Sequence, residues 1–154
     1  MINRIRIYAK SRVDLVSNMG AYAFVADDFI TQRCESKPFS KSIKTLAHAD
    51  CAAYVNTLYT LSKTLAGEEM ETLDIITDSG TVIELLDTYK FQKHCEEIMM
   101  FWRDKVRPSF VNLKTINFKK IGRKPLAGDK HTFCMQKCEV AATQALDKLR
   151  DITR

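Results

Sequence analysis

Thr72-Leu-Asp-Ile-Ile-Thr77 is followed directly by Asp78-Ser-Gly-Thr-Val-Ile83, and the hydrophobic period changes between the two. The first half is a short apolar, β-branched run, which reads as a buried strand. Asp78, Ser79 and Gly80 punctuate it. From Thr81 to Val106 the pattern is helical, broken near Asp87-Thr88 and ended by Arg107-Pro108. A strand framed by helices favours a parallel crossover, so the fold class is α/β. Asp78 then stands just past the carboxyl end of a strand, where ligands of such sheets gather. The plainer role for it there is a helix N-cap.

Upstream, Ile2 to Ala9 alternates as a strand, with Ile5 and Ile7 on one face and Arg4, Arg6 and Tyr8 on the other. Ala21–Val25 is a second strand, Asp27-Asp28 a turn, and Phe29 to about Glu35 a third strand; short loops make the three an antiparallel meander. After Pro38, Ser40 or Ser42 is placed to cap a helix with an apolar stripe of Ile43, Leu46, Ala47, Tyr54, Leu58, Leu61 and Leu65, stopped by Gly67. Downstream, Val111–Lys119 alternates as a weaker strand, a loop holds Gly122, Pro125 and Gly128, and His131 to about Asp151 is a final helix. With no repeat or linker, residues 1–154 read as one domain.

Of the 154 residues, 45% are hydrophobic and 28% charged, enough to bury a core and to exclude a disordered or disulfide-scaffold chain. No apolar run is long enough to span a bilayer, and no signal-like segment opens the chain. Five cysteines, an odd number, point to reduced thiols and a cytoplasmic location. His131, Cys134 and Cys138 lack the Cys-x2-Cys knuckle of structural zinc and read as helix packing.

The net charge of +5 is local. Arg103–Lys130 holds nine basic and two acidic residues, a surplus of seven, which leaves 15 basic against 17 acidic elsewhere. Such a segment is a solvated face or a grip on phosphates, and the candidates for the grip are Lys114, Lys119, Lys120, Arg123, Lys124 and Lys130. Phe101, Trp102 and Phe118 could stack on sugars or bases, Trp102 being the most open to that role, or pack in the core.

Two further carboxylates stand out. Asp50 falls inside the apolar stripe of its helix, where a charge costs energy unless paired, protonated or bound to a cation. Glu139 borders the final helix's stripe of Met135, Ala142, Leu146 and Leu149. Acidic residues converging from three elements would suit a hard cation such as Mg²⁺.

These residues and the element order resemble the ribonuclease H family, whose fold is a five-stranded mixed sheet with three antiparallel strands, two parallel additions and helices on both faces. Ile75–Ile83 resembles the family's strand-end T-D-S motif, with its aspartate at Asp78. Ala49-Asp50-Cys51-Ala52-Ala53 resembles the first-helix segment, with Asp50 at the glutamate. Met135–Ala141 resembles the final segment, with Glu139 at the aspartate. The resemblance implies a Mg²⁺ or Mn²⁺ site of Asp50, Asp78 and Glu139 that cleaves the RNA strand of RNA/DNA hybrids, assisted by a mobile histidine at His131. Tyr8-Ala9-Lys10-Ser11-Arg12 departs from the pattern, because Lys10 stands where the family's metal-bridging aspartate belongs. The expectation is an ion pair of Lys10 with Asp78 and Asp50 in place of the metal, with Asp14 a distant substitute ligand. Three readings follow: a nucleic-acid binder on hybrid or other duplex with a degenerate site, an active metal-dependent nuclease, or a protein-interaction module.

Overall fold

A computed structural model describes residues 3–152. Arg4–Asp14 (β1), Met19–Asp27 (β2) and Gln32–Pro38 (β3) form an antiparallel meander. Leu46–Ser62 (α1) and the short Leu65–Glu69 (α2) lead to Thr72–Thr77 (β4), which pairs parallel with β1. Gly80–Thr88 (α3) and Glu96–Phe101 (α4) follow, the latter continuing through a wide turn at Trp102–Val106 and a tight one at Arg107–Ser109. Thr115–Lys120 (β5) pairs parallel with β4, and Lys130–Ile152 is α5. The sheet order is β3-β2-β1-β4-β5. This is the five-stranded mixed sheet expected, three strands antiparallel and two added in parallel.

Alternation on β1 builds both layers. Ile5, Ile7 and Ala9 join α1, α3 and the α4 segment in the larger core, whereas Tyr8 faces Val25, Ile76 and the α5 residues Cys134, Met135 and Cys138. β1 runs five residues beyond the expected Ala9, because each of Lys10 to Asp14 finds a partner on β2. Ile2, its expected first residue, lies outside the described residues. The third strand starts at Gln32 rather than Phe29. Phe29 lies in a turn at φ 71°, held by Asp28 Oδ1, which accepts from the backbone N–H groups of Ile30 and Thr31 at 2.9 and 2.7 Å. The last strand likewise begins at Thr115 rather than Val111, after a turn.

α1 is capped by Thr45, not by Ser40 or Ser42; its hydroxyl accepts the His48 N–H at 3.0 Å. Leu46 and Leu65, expected in the stripe, are 65% and 70% exposed. Leu46 is the first helical residue, and Leu65 belongs to α2 beyond the break at Lys63. Gly67 does not stop α1. It lies inside α2, where an added Cβ would sit 2.0 Å from the Leu61 carbonyl oxygen, so close backbone approach requires glycine there. Trp102 is fully buried and donates from Nε1 to the Leu86 carbonyl at 3.0 Å, so it is core rather than a stacking platform. Phe101 and Phe118 are partly buried against the same core. Among the described residues, no helix is long and apolar enough to cross a membrane.

Candidate functional site

Lys10, Asp50 and Asp78 line one recess at the carboxyl end of β4, whereas Glu139 and His131 of α5 contact other residues of β1, Arg12 and Tyr8. Tyr54 of α1 ties the helix to that end of β4 by donating to the Ile76 carbonyl at 2.5 Å. Beyond Thr77 the chain turns, the Thr77 hydroxyl accepting the Ser79 N–H at 3.0 Å. Ser79, not Asp78, is the cap of α3, accepting from the Val82 N–H. Asp78 is therefore not consumed by helix capping, and its side chain, only 13% exposed, receives Lys10 Nζ at 2.5 Å.

Lys10 is one of three consecutive β1 residues on the face toward α5, and each takes a different candidate. Tyr8 Oη and His131 Nδ1 share a hydrogen bond of 2.7 Å, Lys10 pairs with Asp78, and Arg12 pairs with Glu139 of α5. On the opposite face, Ser11 Oγ donates to Asp50 Oδ1 at 3.4 Å. Burial, and next the nearby Asp78 charge, push the Asp50 carboxyl above the usual carboxylate range. Lys10, Ser11 and Arg123 oppose that shift without cancelling it. Lys10 thus bonds directly to Asp78 and reaches Asp50 only through its field.

His131 lies in the first turn of α5 instead of a mobile loop. Its burial and the charges of Lys119 and Arg6 hold its pKa below the ordinary histidine value, so the ring is neutral at pH 7. Asp14 is taken by the Val16 and Ser17 N–H groups and by Arg150.

The basic residues divide between the two ends of the sheet. Lys120 Nζ lies 3.7 Å from where a Cβ on Gly80 would be, beside Asp78, and Arg123 acts electrostatically on Asp50. Lys119 acts on His131 and Asp129. Lys124 is exposed in the loop between them and α5. Lys130 opens α5, near Asp27 at 3.8 Å and over the Phe29 ring. Lys114 pairs with Glu71 at the other end of β5, roughly 20 Å of strand from the acidic site.

The residues present do not fit a divalent cation. A Mg²⁺ or Mn²⁺ ion needs several convergent oxygens, but an ammonium occupies Asp78 and a guanidinium occupies Glu139. Among the described residues, no three His, Cys, Asp or Glu side chains form a group able to hold a metal. Arg12 and Ser11 complete the arrangement and were not singled out by the sequence. The alternation of β1 continues past Ala9 and places Arg12 on the Lys10 face.

No protein-family model and no curated protein matches the sequence. Solved structures do match. The chain aligns over 96% of its length, and 99% of the other's, with the N-terminal ribonuclease H domain of a Mycobacterium tuberculosis protein, at TM-score 0.64 and 15% identity. The chain has the ribonuclease H fold. Ribonuclease H1 of Halobacterium salinarum aligns over 95% of this chain and 99% of its own, at TM-score 0.62 and 13% identity. LC11 ribonuclease H1, solved in complex with an RNA/DNA hybrid, aligns over 94% and 98%, at TM-score 0.65 and 16% identity. At such identities the likeness establishes the ribonuclease H fold and not the chemistry.

Proposed function

We propose that this chain is a nucleic-acid-binding protein of ribonuclease H fold whose metal site is closed by its own cations. One observation carries the reading: the Lys10 ammonium lies on Asp78 at 2.5 Å, where a cation-binding carboxylate would otherwise be open. The Arg12–Glu139 pair supports it, since a carboxylate already paired with a cation is a poor metal ligand, and so does the burial of Asp50, which raises its pKa and disfavours the charged form that a metal needs. Lys119, Lys120, Arg123, Lys124 and Lys130 are the proposed phosphate contacts, binding backbone rather than bases. Lys114, a candidate from the sequence, is paired with Glu71 at the far end of β5 and is left out of the proposed contacts. A neighbour of the same fold holds an RNA/DNA hybrid, which supports a hybrid or another duplex as the partner.

The test is incubation of labelled RNA/DNA hybrid, double-stranded RNA and single strands with Mg²⁺ or Mn²⁺, using wild type, Lys10→Asp and Asp78→Asn. The expected result is salt-sensitive binding without cleavage. Cleavage by wild type that disappears in Asp78→Asn would establish an active nuclease instead. Absence of any binding at low salt would leave a protein-interaction module.

A further inference from the structure

On the larger-core side, a cavity of about 470 Å³ opens between α1, α4 and the segment that joins β3 to α1. It shares no residue with the Lys10 site. Its size lies within the range of small-ligand pockets, ~300–1,000 Å³. One ridge of α1, spaced by four, four and three residues, supplies His48, Ala52, Asn56 and Tyr59. Tyr59 and Phe101 of α4 form a tilted aromatic pair, centroids 5.1 Å apart, and Phe39 stands in the same lining.

The polar groups in this apolar slot have open hydrogen-bonding capacity. The side-chain amide of Asn56 has no hydrogen-bond partner among the described residues, while its backbone carbonyl accepts from the Thr60 hydroxyl at 3.0 Å. His48 Nδ1 accepts the Lys44 N–H at 3.2 Å, which places the ring proton on Nε2. Burial, with the charges of His94 and Lys44, lowers the pKa of that ring, and Glu97 pulls the other way without cancelling the shift. Glu97 and Lys41 also line the cavity, and neither has an ion-pair partner among the described residues. Aromatic walls, a side-chain amide and a carboxylate that can only accept suit a flat heterocycle whose edge offers one acceptor and two N–H donors, as a ring nitrogen beside an exocyclic amine does. An aliphatic chain would leave these polar groups without partners. Lys41 supplies a cation for an attached phosphate.

We infer that this cavity binds a single nucleobase carrying an exocyclic amine, stacked on the Tyr59–Phe101 wall and held edge-on by Asn56 and Glu97. Adenine, cytosine and guanine carry that amine; uracil does not. The base comes either from a free nucleotide or from a nucleotide splayed out of a strand. The inference deepens the nucleic-acid reading only for the second source.

The test uses the full chain. Binding of AMP, UMP and ribose 5-phosphate is measured by calorimetry, and that of a short single-stranded RNA, intact or with one central abasic position, by anisotropy. AMP is expected to bind saturably and UMP several-fold more weakly, with no saturation by ribose 5-phosphate. Asn56→Leu is expected to weaken AMP roughly 5- to 150-fold, the usual range for a bidentate base contact. Tyr59→Ala gives a second variant, with thermal melting as the check on folding. If AMP binds but the abasic strand binds as well as the intact one, the ligand is a free nucleotide. If the abasic strand is weaker, it is a strand-borne base. No saturable AMP binding, equal binding of ribose 5-phosphate or UMP, or an unchanged Asn56→Leu in a folded protein would overturn the inference. Neutralising Lys119 and Lys120 separates the two readings: loss of duplex binding with AMP binding retained concerns only the basic segment.

Discussion

Lys10 of β1 and Asp78 beyond the carboxyl end of β4 form a 2.5 Å ion pair between two interior strands of the sheet, with side chains only 22% and 13% exposed. Such a pair is costly to break from one side, because the remaining charge stays partly desolvated. Lys10→Met is therefore expected to destabilise the fold by about 1–3 kcal/mol. Asp78 would then lose its direct cation partner and keep the like charge of Asp50 nearby. Lys10→Met with Asp78→Asn should recover most of that loss. A double-mutant cycle by urea unfolding reads the coupling, and additive single effects would mean that the pair is not formed.

The elevated Asp50 pKa has a definite sign. A carboxyl whose folded value lies above its unfolded one favours folding in its protonated form. Its contribution is full below the unfolded value of ~3.9 and is lost as pH rises through the folded value. Asp50→Asn keeps an acceptor for Ser11 and removes that loss. It should raise the melting temperature at pH 7 and leave it nearly unchanged at pH 3.5. The opposite pattern would place Asp50 in a stabilising ion pair.

His131 works in the other direction. Its folded pKa lies below the unfolded value, so stability is present at neutral pH and falls as pH drops through ~6.5. Protonation makes both ring nitrogens donors, so the Tyr8 hydroxyl on Nδ1 could then only accept. His131→Gln should flatten the stability profile between pH 7 and pH 5. Titration of the ring by NMR should give a midpoint below that of a free histidine.

Much of the sheet was readable because its signals are local: Leu73 to Thr77 is apolar and β-branched, and the helix-to-strand order forces a crossover. Boundaries were less readable, because they depend on pairing partners. β1 continues through Lys10, Ser11 and Arg12 only because β2 lies opposite them. Gly67 illustrates the same limit. Alone it looks like a helix stop, but its need arises from the Leu61 carbonyl of the preceding turn. Trp102 was the most open of three aromatic residues to a stacking role, yet the wide turn after α4 buries it. The ion pairs at the site join residues up to 127 positions apart and have no local signature.

Gly67→Ala follows directly. The added methyl meets backbone, which cannot swing aside as a side chain can. The expected cost is about 1–3 kcal/mol, in spite of the better helix propensity of alanine. A neutral or stabilising result in thermal unfolding would mean that α2 does not pack against the end of α1.

For the basic segment the readout is the salt dependence of binding. Replacing Lys119, Lys120, Arg123 and Lys124 by serine should reduce the slope of log K against log salt by up to about 0.9 per lost contact. Lys114→Ser, at the far end of β5, should leave the slope nearly unchanged. Equal effects from both variants would remove the positional argument for residues 119–124.

The most direct test of the closed site is a Mn²⁺ titration of wild type and Lys10→Asp, followed by paramagnetic broadening of the amide signals around Asp50, Asp78 and Glu139. The account predicts no saturable, localised broadening in wild type, because Lys10 and Arg12 hold two of the three carboxylates. Saturable broadening centred on Asp78 in wild type, abolished by Asp78→Asn, would contradict it.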